Sequence, residues 1–446
     1  MRKKEILWIS IFGFFLVIIS IFSKVIDFHD CREYISIAKY FAGIRNINLF
    51  SGHSLLYPII ISFFLKIWPS MIILKIVNSI WLLFIALVLL LGLKNKKAFL
   101  LFIFSPLTWY VSIQTTPILP ASFFFFLSFI FFYLQKVKFH RIISGIFLGL
   151  SCAFYTPMIL IGGIFVMVFF WRKQIYELMH YFIAILIGFS PRMILDYYLF
   201  KMPFYSIIRY FGANFIIAIG LNPGTRNIHI LNHLSGLIVL IAISPFLFKL
   251  YKLNWKKYNK ILVFLILSGL ILLLRAAMLK YFLLISPIVL LLVASVLTEK
   301  ELKRNIVLSI IITLLLISNF FIENKDIATQ KDLEKIKQDF DPEYILGGPY
   351  ESLYFSMFSW ENKPYFIWWQ DYRASIENRT NIREYEFKFD SKIPLKSRLK
   401  ISGEFERFYP NKTYENFILV TGKEYFKGLE EFKLKKCYEV LCVYEK

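Results

Sequence analysis

Two carboxylates and a phenol lie at helical spacing near the start of the chain. Asp27, Asp30 and Tyr34 are three and four residues apart. Because successive residues of an α-helix are rotated by about 100°, a helix over residues 27–41 would place these side chains within about 60° of one face, with Glu33 well to the side. A carboxylate in such a group can act as a general base, and two of them can bind a cation.

The same residues have a structural interpretation that spacing alone does not exclude. Asp27 would cap the helix and the other two acids would pair with Arg32 or stay in water, since acids are common in the first turn of helices. His29 and His53 could join the carboxylates around a divalent metal, but a histidine in a loop is usually a polar surface residue.

The composition places this group in a membrane protein. Of 446 residues, 58% are hydrophobic, and repeated apolar runs are long enough to cross about 30 Å of hydrocarbon. The net charge of +22 comes from residues 1–322, because the rest of the chain carries 21 Lys and Arg against 22 Asp and Glu. An excess confined to the apolar part is typical of loops that orient helices and face anionic lipid, which argues against nucleic acid as a partner.

We therefore expect a polytopic α-helical membrane protein with about eleven transmembrane helices. The first apolar run follows a basic N-terminus without a cleavage pattern, which predicts an uncleaved span with a cytoplasmic N-terminus. Alternate threading then sends five linkers to the cytoplasm, and all are basic: residues 94–97, 135–141, 171–173, 249–260 and 298–304. The predicted spans cover residues 6–22, 71–93, 98–114, 117–134, 141–156, 157–171, 175–194, 230–249, 260–275, 281–298 and 305–322.

The same threading puts the remaining linkers on the outer side of the membrane, which would be the cytoplasmic or the ER membrane. They comprise residues 25–70, a long loop at 195–229, residues 275–280 and the tail from residue 323. Within the first, Ser54 to Trp68 is apolar but only about 15 residues long and contains Pro58, so we expect juxtamembrane helices rather than another span.

The tail has balanced charge and reads as a small soluble α/β domain, which gives a transmembrane domain at 1–322 and an extracytoplasmic domain at 323–446. A helix is predicted over residues 330–340, and strands over residues 343–346, 365–369, 417–420 and 438–444. The four cysteines have no metal-ligand spacing. Cys437 and Cys442, five apart in one strand, would point to opposite faces, which argues against a disulfide between them.

Eight acids occur in residues 1–322, and the threading divides them equally. Those near the cytoplasmic face stand beside lysines and arginines that could pair with them, and they are Glu5, Glu177, Glu299 and Glu301. The outer acids are Asp27, Asp30, Glu33 and Asp196. Outer basic residues would complement a lipid phosphate, although each could instead snorkel toward lipid headgroups. They are Arg192, Lys201, Arg209, Arg226, Arg275 and Lys280.

In order and topology, these features resemble the GT-C superfamily of integral-membrane glycosyltransferases, which includes protein O-mannosyltransferases and the lipid A aminoarabinose transferase. The similar stretches, spread over most of residues 1–298, are residues 29–38 (HDCREYISIA), 52–58 (GHSLLYP), Ser105-Pro106, 145–150 (GIFLGL), 196–205 with Pro203-Phe204, and 280–283 (KYFL) with Pro287. The chain departs from the family's pattern at Gln114, where many members have a second acid near the fourth span, at Tyr155-Thr156-Pro157, where many have an arginine, and at Lys280, where arginine commonly precedes tyrosine.

The resemblance implies transfer of a sugar from a polyprenyl-phosphate donor to an acceptor hydroxyl of a protein, lipid or glycan, with inversion, on the outer face. It implies Asp30 as general base, Asp27 as a second acid or metal ligand, and Tyr34 as a positioning hydroxyl. Arg275 and Lys280 would hold the departing phosphate, and the predicted substrate-binding set is completed by Arg226, Arg209, His53 and Tyr57. No nucleotide is needed, because the polyprenyl phosphate already activates the sugar. A divalent metal stays open, with Asp27, Asp30 and His29 as candidate ligands.

Two other classes of protein stay open. A transporter or flippase would need ionisable groups at the midplane of several spans, and the sequence has few. An inactive member of the superfamily could serve in binding or assembly, but the retained Asp27 and Asp30 argue against it.

Overall fold

The fold is described from a computed structural model. It describes residues 3–24, 31–44, 53–133, 139–170, 175–218, 245–275, 279–318, 321, 325–347, 365–368, 372, 405–406, 413–422 and 431–445. The chain divides into two compact units. The first comprises Met1–Val25, Leu74–Ile194 and Arg226–Phe321, and the second comprises Ile26–Ile73, Leu195–Thr225 and Ile322–Lys446. The domain boundary predicted at residue 322 stays a prediction.

Apolar helices make up most of the described residues before 322. They are α1 (Lys3–Phe22), α2 (Cys31–Ala42), α3 (Leu56–Ile67), α4 (Met71–Leu87), α5 (Lys96–Ile103), α6 (Pro106–Ser112), α7 (Ile118–Tyr133), α8 (His140–Phe154), α9 (Met158–Phe170), α10 (Ile175–Phe200), α11 (Tyr205–Ala218), α12 (Trp255–Arg275), α13 (Ser286–Val296) and α14 (Glu299–Ser318). A π-helical turn, Val88–Gly92, extends α4, and 3₁₀ segments occupy Pro245–Lys252 and Leu279–Leu284.

Three of these helices are long and apolar enough to cross a membrane, among the residues that are described. They are Glu5–Phe22, Met71–Gly92 and Ile175–Phe200, while shorter apolar helices include α7, α8, α9 and α13. The predicted span at 98–114 is two helices, because Pro106 starts α6 after an extended Ser105. The chain is thus an integral membrane protein, and the count of about eleven spans stays a prediction.

Helix α10 is longer than its predicted span. It continues through Phe200, and α11 starts at Tyr205, so residues 196–200 and 205–218 are helical where the sequence predicted a long loop. The loop prediction was wrong here because charged and aromatic residues such as those around Asp196 are typical of the end of a span, whereas α10 buries this carboxylate against Ser206. The remainder of the predicted loop and the predicted span at 230–249, up to residue 244, lie outside the described residues.

Small residues bring α8 and α10 into close contact. A Cβ atom built on Gly149 would collide with the carbonyl oxygen of Ile185, and one built on Gly188 would collide with that of Ile146. Pairs of small residues four apart allow this approach between membrane helices. At one end of the contact the Ser144 hydroxyl lies 3.1 Å from the Tyr181 hydroxyl, and at the other Arg192 Nη1 donates to the Cys152 carbonyl at 3.4 Å.

The C-terminal residues form helix α15 (Lys325–Phe340) and a six-stranded sheet in the order β3-β2-β1-β4-β6-β5. The strands are β1 (Tyr344–Gly347), β2 (Tyr365–Trp368), β3 (Phe405–Glu406), β4 (Phe417–Gly422), β5 (Lys433–Cys437) and β6 (Leu441–Glu445). Strands β1 to β4 are parallel, and β6 runs antiparallel to β4 and β5. Leu333 and Ile336 of α15 pack on one face of the sheet with Ile345, Val420 and Val443. The predicted helix and the strands predicted at 343–346, 365–369 and 417–420 are confirmed to within a few residues, whereas the soluble character of the tail stays a prediction.

The prediction against a disulfide in this sheet was wrong. Residues 438–444 were expected to be one strand, but 438–440 form a turn, and Asp332 of α15 accepts hydrogen bonds from the turn's backbone N–H groups, including that of Val440 at 2.6 Å. The turn makes β5 and β6 a hairpin in which Cys437 and Cys442 are directly paired, and they form a disulfide.

Candidate functional site

The most acidic part of the predicted site lies beyond what the structure describes. Asp27, Asp30 and His29 are outside the described residues, as is Arg226, and the side chains of Glu33 and Arg275 are not described either. Helix α2 begins at Cys31, the residue that follows Asp30, and Arg275 is the last residue of α12. The predicted helix over 27–41 is thus confirmed from residue 31 onward.

Helices α2 and α3 bring three of the predicted site residues together. The rings of Tyr34 and Tyr57 meet edge to face with centroids 5.7 Å apart, and the centroid of the His53 ring lies 5.2 Å from that of Tyr34. Tyr210 of α11 extends the group, with its ring 5.5 Å from that of His53. We call these four residues the aromatic group. All three tyrosines are buried, and the His53 ring lies within 5.5 Å of both the Tyr34 and the Tyr210 ring.

Tyr210 is a member that sequence reasoning missed. It follows the predicted Arg209, but it lies in the stretch 195–229 that the sequence predicts as a loop, so no helical spacing links it to the site. In the structure α11 carries it next to residues that are about 150 positions earlier in the chain. Its neighbour Arg209 is also buried, as is Lys39 one turn beyond Tyr34 on α2. Two cations therefore sit on the helices that supply the aromatic group.

The phenol of Tyr57 is protonated at any physiological pH. Burial raises its pKa well above the usual range, and the nearby Cys31 thiol acts in the same direction. A neutral phenol can donate a hydrogen bond to a sugar hydroxyl or a phosphate oxygen, but it cannot serve as a base.

Asp196 has a structural partner. Its Oδ2 accepts hydrogen bonds from the Ser206 hydroxyl at 2.6 Å and from the Ser206 backbone N–H at 3.1 Å, and the carboxylate is fully buried. Ser206 is in the first turn of α11, where N–H groups lack helical partners. The acid on α10 therefore caps the next helix.

Three of the four acids predicted at the cytoplasmic face are in ion pairs. Glu177 pairs with Arg141 at 2.7 Å, Glu299 with Lys97 at 3.1 Å, and Glu301 with Lys252 at 2.6 Å and Lys249 at 3.3 Å. This confirms the pairing predicted for those three glutamates. Of the eight acids before residue 323, the ones whose contacts are not described are Glu5 and the three acids of the segment 27–33.

In the first unit, Lys280 is buried in the 3₁₀ segment Leu279–Leu284. Its Nζ lies 5.8 Å from the ring of Tyr281, and that ring stacks on Tyr155 at 6.1 Å. The segment is held to α7 by the Ser122 hydroxyl, which donates to the Leu283 carbonyl at 2.8 Å. A lysine beside stacked tyrosines keeps its charge partly compensated by the ring faces.

The positions at which the sequence departs from the pattern of the family that it resembles are buried in the first unit. Gln114 and Thr156 are 5% and 1% exposed, and Gln114 Oε1 and Thr156 Oγ1 have no hydrogen-bond partner among the described residues. Buried polar atoms are rarely left without a partner, so these two atoms can accept hydrogen bonds from a ligand. Within the described ranges no group of three His, Cys, Asp or Glu side chains could hold a metal.

Comparison with known proteins shows a similarity of fold. No family model matches the sequence, and no curated protein matches it. Among solved structures, the chain is similar to the crystal structure of ArnT from Cupriavidus metallidurans bound to undecaprenyl phosphate, with a TM-score of 0.64 and 9% sequence identity. The alignment covers 100% of this chain and 98% of that one, so the similarity includes both the membrane helices and the C-terminal sheet.

Proposed function

We propose that this chain, which has the fold of the GT-C glycosyltransferases, transfers a sugar from a polyprenyl-phosphate donor to an acceptor hydroxyl on the outer face of the membrane. The observation that carries the proposal is the full-length similarity to an ArnT structure that holds undecaprenyl phosphate. Such a lipid phosphate is the leaving group that the reaction releases.

The charges support the proposed orientation. All five basic linkers and the three glutamate ion pairs belong to the side that was predicted to be cytoplasmic, as expected from the excess of Lys and Arg in cytoplasmic loops. With the N-terminus on that side, α2, α3 and the C-terminal sheet belong to the outer side. The protein would then act on lipid-linked sugars of the outer leaflet.

The resemblance to the GT-C glycosyltransferases assigns Asp30 as the general base. Asp196 caps α11, and Glu177, Glu299 and Glu301 have basic partners, which supports the choice of the base from among Asp27, Asp30 and Glu33. The Asp30 carboxylate takes the proton of the acceptor hydroxyl as its oxygen attacks C1 of the sugar. The bond from C1 to the phosphate oxygen breaks, and the polyprenyl phosphate leaves with the electron pair, which inverts C1. Asp27 is the second candidate.

The aromatic group provides a surface for the sugar, and one of its members directly follows the acidic segment 27–33 in the sequence. Tyr34 lies four residues after Asp30, and aromatic rings pack well against the apolar faces of sugars while phenols and imidazole bond the hydroxyls. Arg209 is the buried cation that we assign to the lipid phosphate within the second unit. Roles of Arg226, Arg275 and Lys280 in phosphate binding stay predictions.

The test is a transfer assay in lipid. The purified protein is supplied with a radiolabelled polyprenyl-phosphate sugar and candidate protein, lipid and glycan acceptors. We expect Asp30→Asn to lower transfer by about 10²- to 10⁴-fold, the usual contribution of a general base. Glu299→Gln is the matched control, because it also removes one carboxylate but at an ion pair on the other predicted side.

Each other outcome has a definite meaning. Equal transfer by wild type and Asp30→Asn removes Asp30 from the mechanism, and the same comparison with Asp27→Asn then tests the second acid. Absence of transfer with every donor and acceptor contradicts the enzymatic function and favours a binding or assembly protein. Movement of the labelled lipid between leaflets without transfer would indicate a flippase.

A further inference from the structure

We propose that the ends of α12 and α14 on the side proposed to be cytoplasmic form a binding surface for anionic phospholipid headgroups. Six basic side chains are exposed on the first two turns of these helices. We call them the basic surface, and they are Lys256, Lys257 and Lys260 of α12, and Lys300, Lys303 and Arg304 of α14. Their partner is a lipid of the surrounding bilayer, so the inference goes beyond the proposed function and does not depend on it.

Ion pairs bring the starts of the two helices together. The 3₁₀ segment that precedes α12 carries Lys249 and Lys252, which pair with Glu301 in the first turn of α14 at 3.3 and 2.6 Å. Two residues after that segment, Asn254 Oδ1 accepts the backbone N–H of Lys256 at 3.0 Å and caps α12. The first turns of α12 and α14 therefore lie in one region of the first unit.

Positive charge exceeds negative charge in this region. Residues 249–260 and 299–304 contain eight lysines and arginines but two acids, Glu299 and Glu301. Both glutamates already have basic partners outside the basic surface, because Glu299 pairs with Lys97 at 3.1 Å and Glu301 with the lysines of the 3₁₀ segment. Among the residues that the structure describes, none of the six cations of the basic surface forms an ion pair. The surface therefore attracts an external anion.

Helical position shows that the cations of α14 belong to its lipid-facing side. Lys300 and Lys303 precede Val307 by seven and four residues, and Arg304 precedes Ile311 by seven. Residues at these spacings share one face of a helix. Val307 and Ile311 are 57% and 50% exposed. The opposite face is buried and consists of Leu302, Asn305, Ser309 and Thr313. The exposed apolar stripe of this predicted span thus ends in three cations.

Helix α12 has the same arrangement. Its exposed apolar residues are Val263, Ile266 and Leu270. Lys256 and Lys260 precede Val263 by seven and three residues, which places them on the same side of the helix. Trp255, the first residue of α12, is 56% exposed, and Tyr251 is exposed just before it. Trp and Tyr are enriched where a membrane meets water, so these rings mark the level of the headgroups.

This position favours a lipid over an acidic protein as the partner. Cations that continue a lipid-facing stripe can lay their apolar stems along the bilayer and place their charge among the headgroup phosphates. A zwitterionic lipid brings its own cationic group to such a surface, whereas an anionic lipid does not. The basic surface should therefore select anionic lipids from the mixture that surrounds the protein.

The first experiment measures lipid affinity by native mass spectrometry of the full-length protein in detergent. The probes are phosphatidylglycerol and phosphatidylcholine with identical acyl chains. We expect the wild type to bind phosphatidylglycerol about fivefold more tightly or better. Lys300→Gln/Lys303→Gln should weaken phosphatidylglycerol binding by about tenfold or more, since each basic residue near a membrane surface contributes about fivefold. Binding of phosphatidylcholine should change by less than about twofold.

The chain offers a matched control for the loss of two charges. Lys335 of α15 and Lys433 of β5 are also exposed lysines, but they belong to the C-terminal part of the chain. Lys335→Gln/Lys433→Gln should leave the affinity for phosphatidylglycerol unchanged. Lys300→Arg/Lys303→Arg, which keeps both charges, should also retain it.

A second measurement needs no variant and decides the question if the glutamine variant does not fold. The affinity of the wild type for the two lipids is measured as NaCl is raised from about 0.05 to about 0.5 M. The preference for phosphatidylglycerol should fall by about tenfold or more, because salt screens exposed charges. Affinity for phosphatidylcholine should stay constant.

Three results would overturn the proposal. Equal affinity of the wild type for the two lipids would show that the surface does not select anionic headgroups. An equal loss in Lys335→Gln/Lys433→Gln would show that only the net charge of the protein matters. Unchanged phosphatidylglycerol binding by Lys300→Gln/Lys303→Gln, together with loss of binding to a polyglutamate peptide, would indicate an acidic protein partner. None of these measurements requires sugar transfer, so failure of the proposed function would not change their outcome.

Discussion

The Asp196 carboxylate and the Ser206 hydroxyl are joined by a hydrogen bond of 2.6 Å that links the end of α10 to the start of α11. We expect Asp196→Ala to lower the free energy of unfolding by about 1–3 kcal/mol, since it leaves two buried donors without an acceptor. Thermal unfolding in lipid measures this. The transfer rate per folded molecule should stay near the wild-type value, and a rate loss as large as that of Asp30→Asn would contradict the capping role.

His53 is expected to contribute through its nitrogens as well as its ring. His53→Phe keeps a ring between Tyr34 and Tyr210, so its melting temperature should stay close to that of the wild type. It loses a hydrogen bond to the substrate, worth about 0.5–1.5 kcal/mol, and kcat/KM should fall by about 2- to 12-fold. His140→Phe, at the start of α8, is the control. An unchanged kcat/KM in His53→Phe would remove His53 from the predicted substrate-binding set.

The contact of α8 with α10 has no room for a side chain at Gly149. Gly149→Ala should lower the free energy of unfolding by about 1–3 kcal/mol, because its Cβ forces the backbones apart. Gly163→Ala on α9 is the control, since nothing lies within 4 Å of its Cβ position. There the substitution should stabilise by roughly 0.5–1 kcal/mol, the usual effect of replacing a helical glycine. Equal effects at the two positions would contradict the close contact.

Glu301 predicts a pH dependence of stability. Hydrogen bonds from Lys252, and from Thr298 and Lys249, lower its pKa to about 2 in the folded protein, whereas the unfolded value is about 4.3. A carboxylate whose pKa is lowered on folding stabilises the folded protein at pH values above its pKa in the unfolded chain. This contribution is lost as the pH falls from about 4.5 to 2. The difference in melting temperature between wild type and Glu301→Gln should therefore be constant near neutral pH and disappear by about pH 2. A difference that persists there would contradict the ion pairs as its source.

Lys252, the partner of Glu301, sets the upper pH limit at which this ion pair contributes to stability. The hydrogen bond to Glu301 raises the pKa of Lys252. A group whose pKa is raised on folding stabilises the folded protein at pH values below its pKa in the unfolded chain. This contribution is lost as the pH rises through the pKa of the folded protein, so the ion pair is complete throughout the neutral range.

The parts of the fold that follow local patterns could be predicted from the sequence. The sequence Gly347-Gly348-Pro349 predicts the end of the strand now seen as β1, and a short apolar run predicts β4. The pairing of Glu177 and Glu299 also followed from local charge, because basic linkers adjoin each predicted cytoplasmic end. The proline at the start of α6 divides the apolar run 98–114, which hydrophobicity alone predicts to be one span.

Residues that depend on distant partners could not be predicted in this way. The role of Asp196 depends on Ser206, which lies beyond a break between two helices and has no local signature. Tyr210 joins residues from the start of the chain, and Gly149 meets α10 through a helix contact whose register the sequence does not display. The turn at 438–440 contains no glycine, so periodicity alone made one strand of a hairpin.

The hairpin that this turn creates also carries information about where the domain folded. A bond between Cys437 and Cys442 forms and persists in oxidising compartments and is rare in the cytosol. The redox state of these two cysteines therefore reports the compartment in which the C-terminal domain lies. Alkylation of unreduced protein from intact cells should leave them unlabelled, whereas labelling without reductant would place the sheet in the cytoplasm and invert the orientation proposed for every helix.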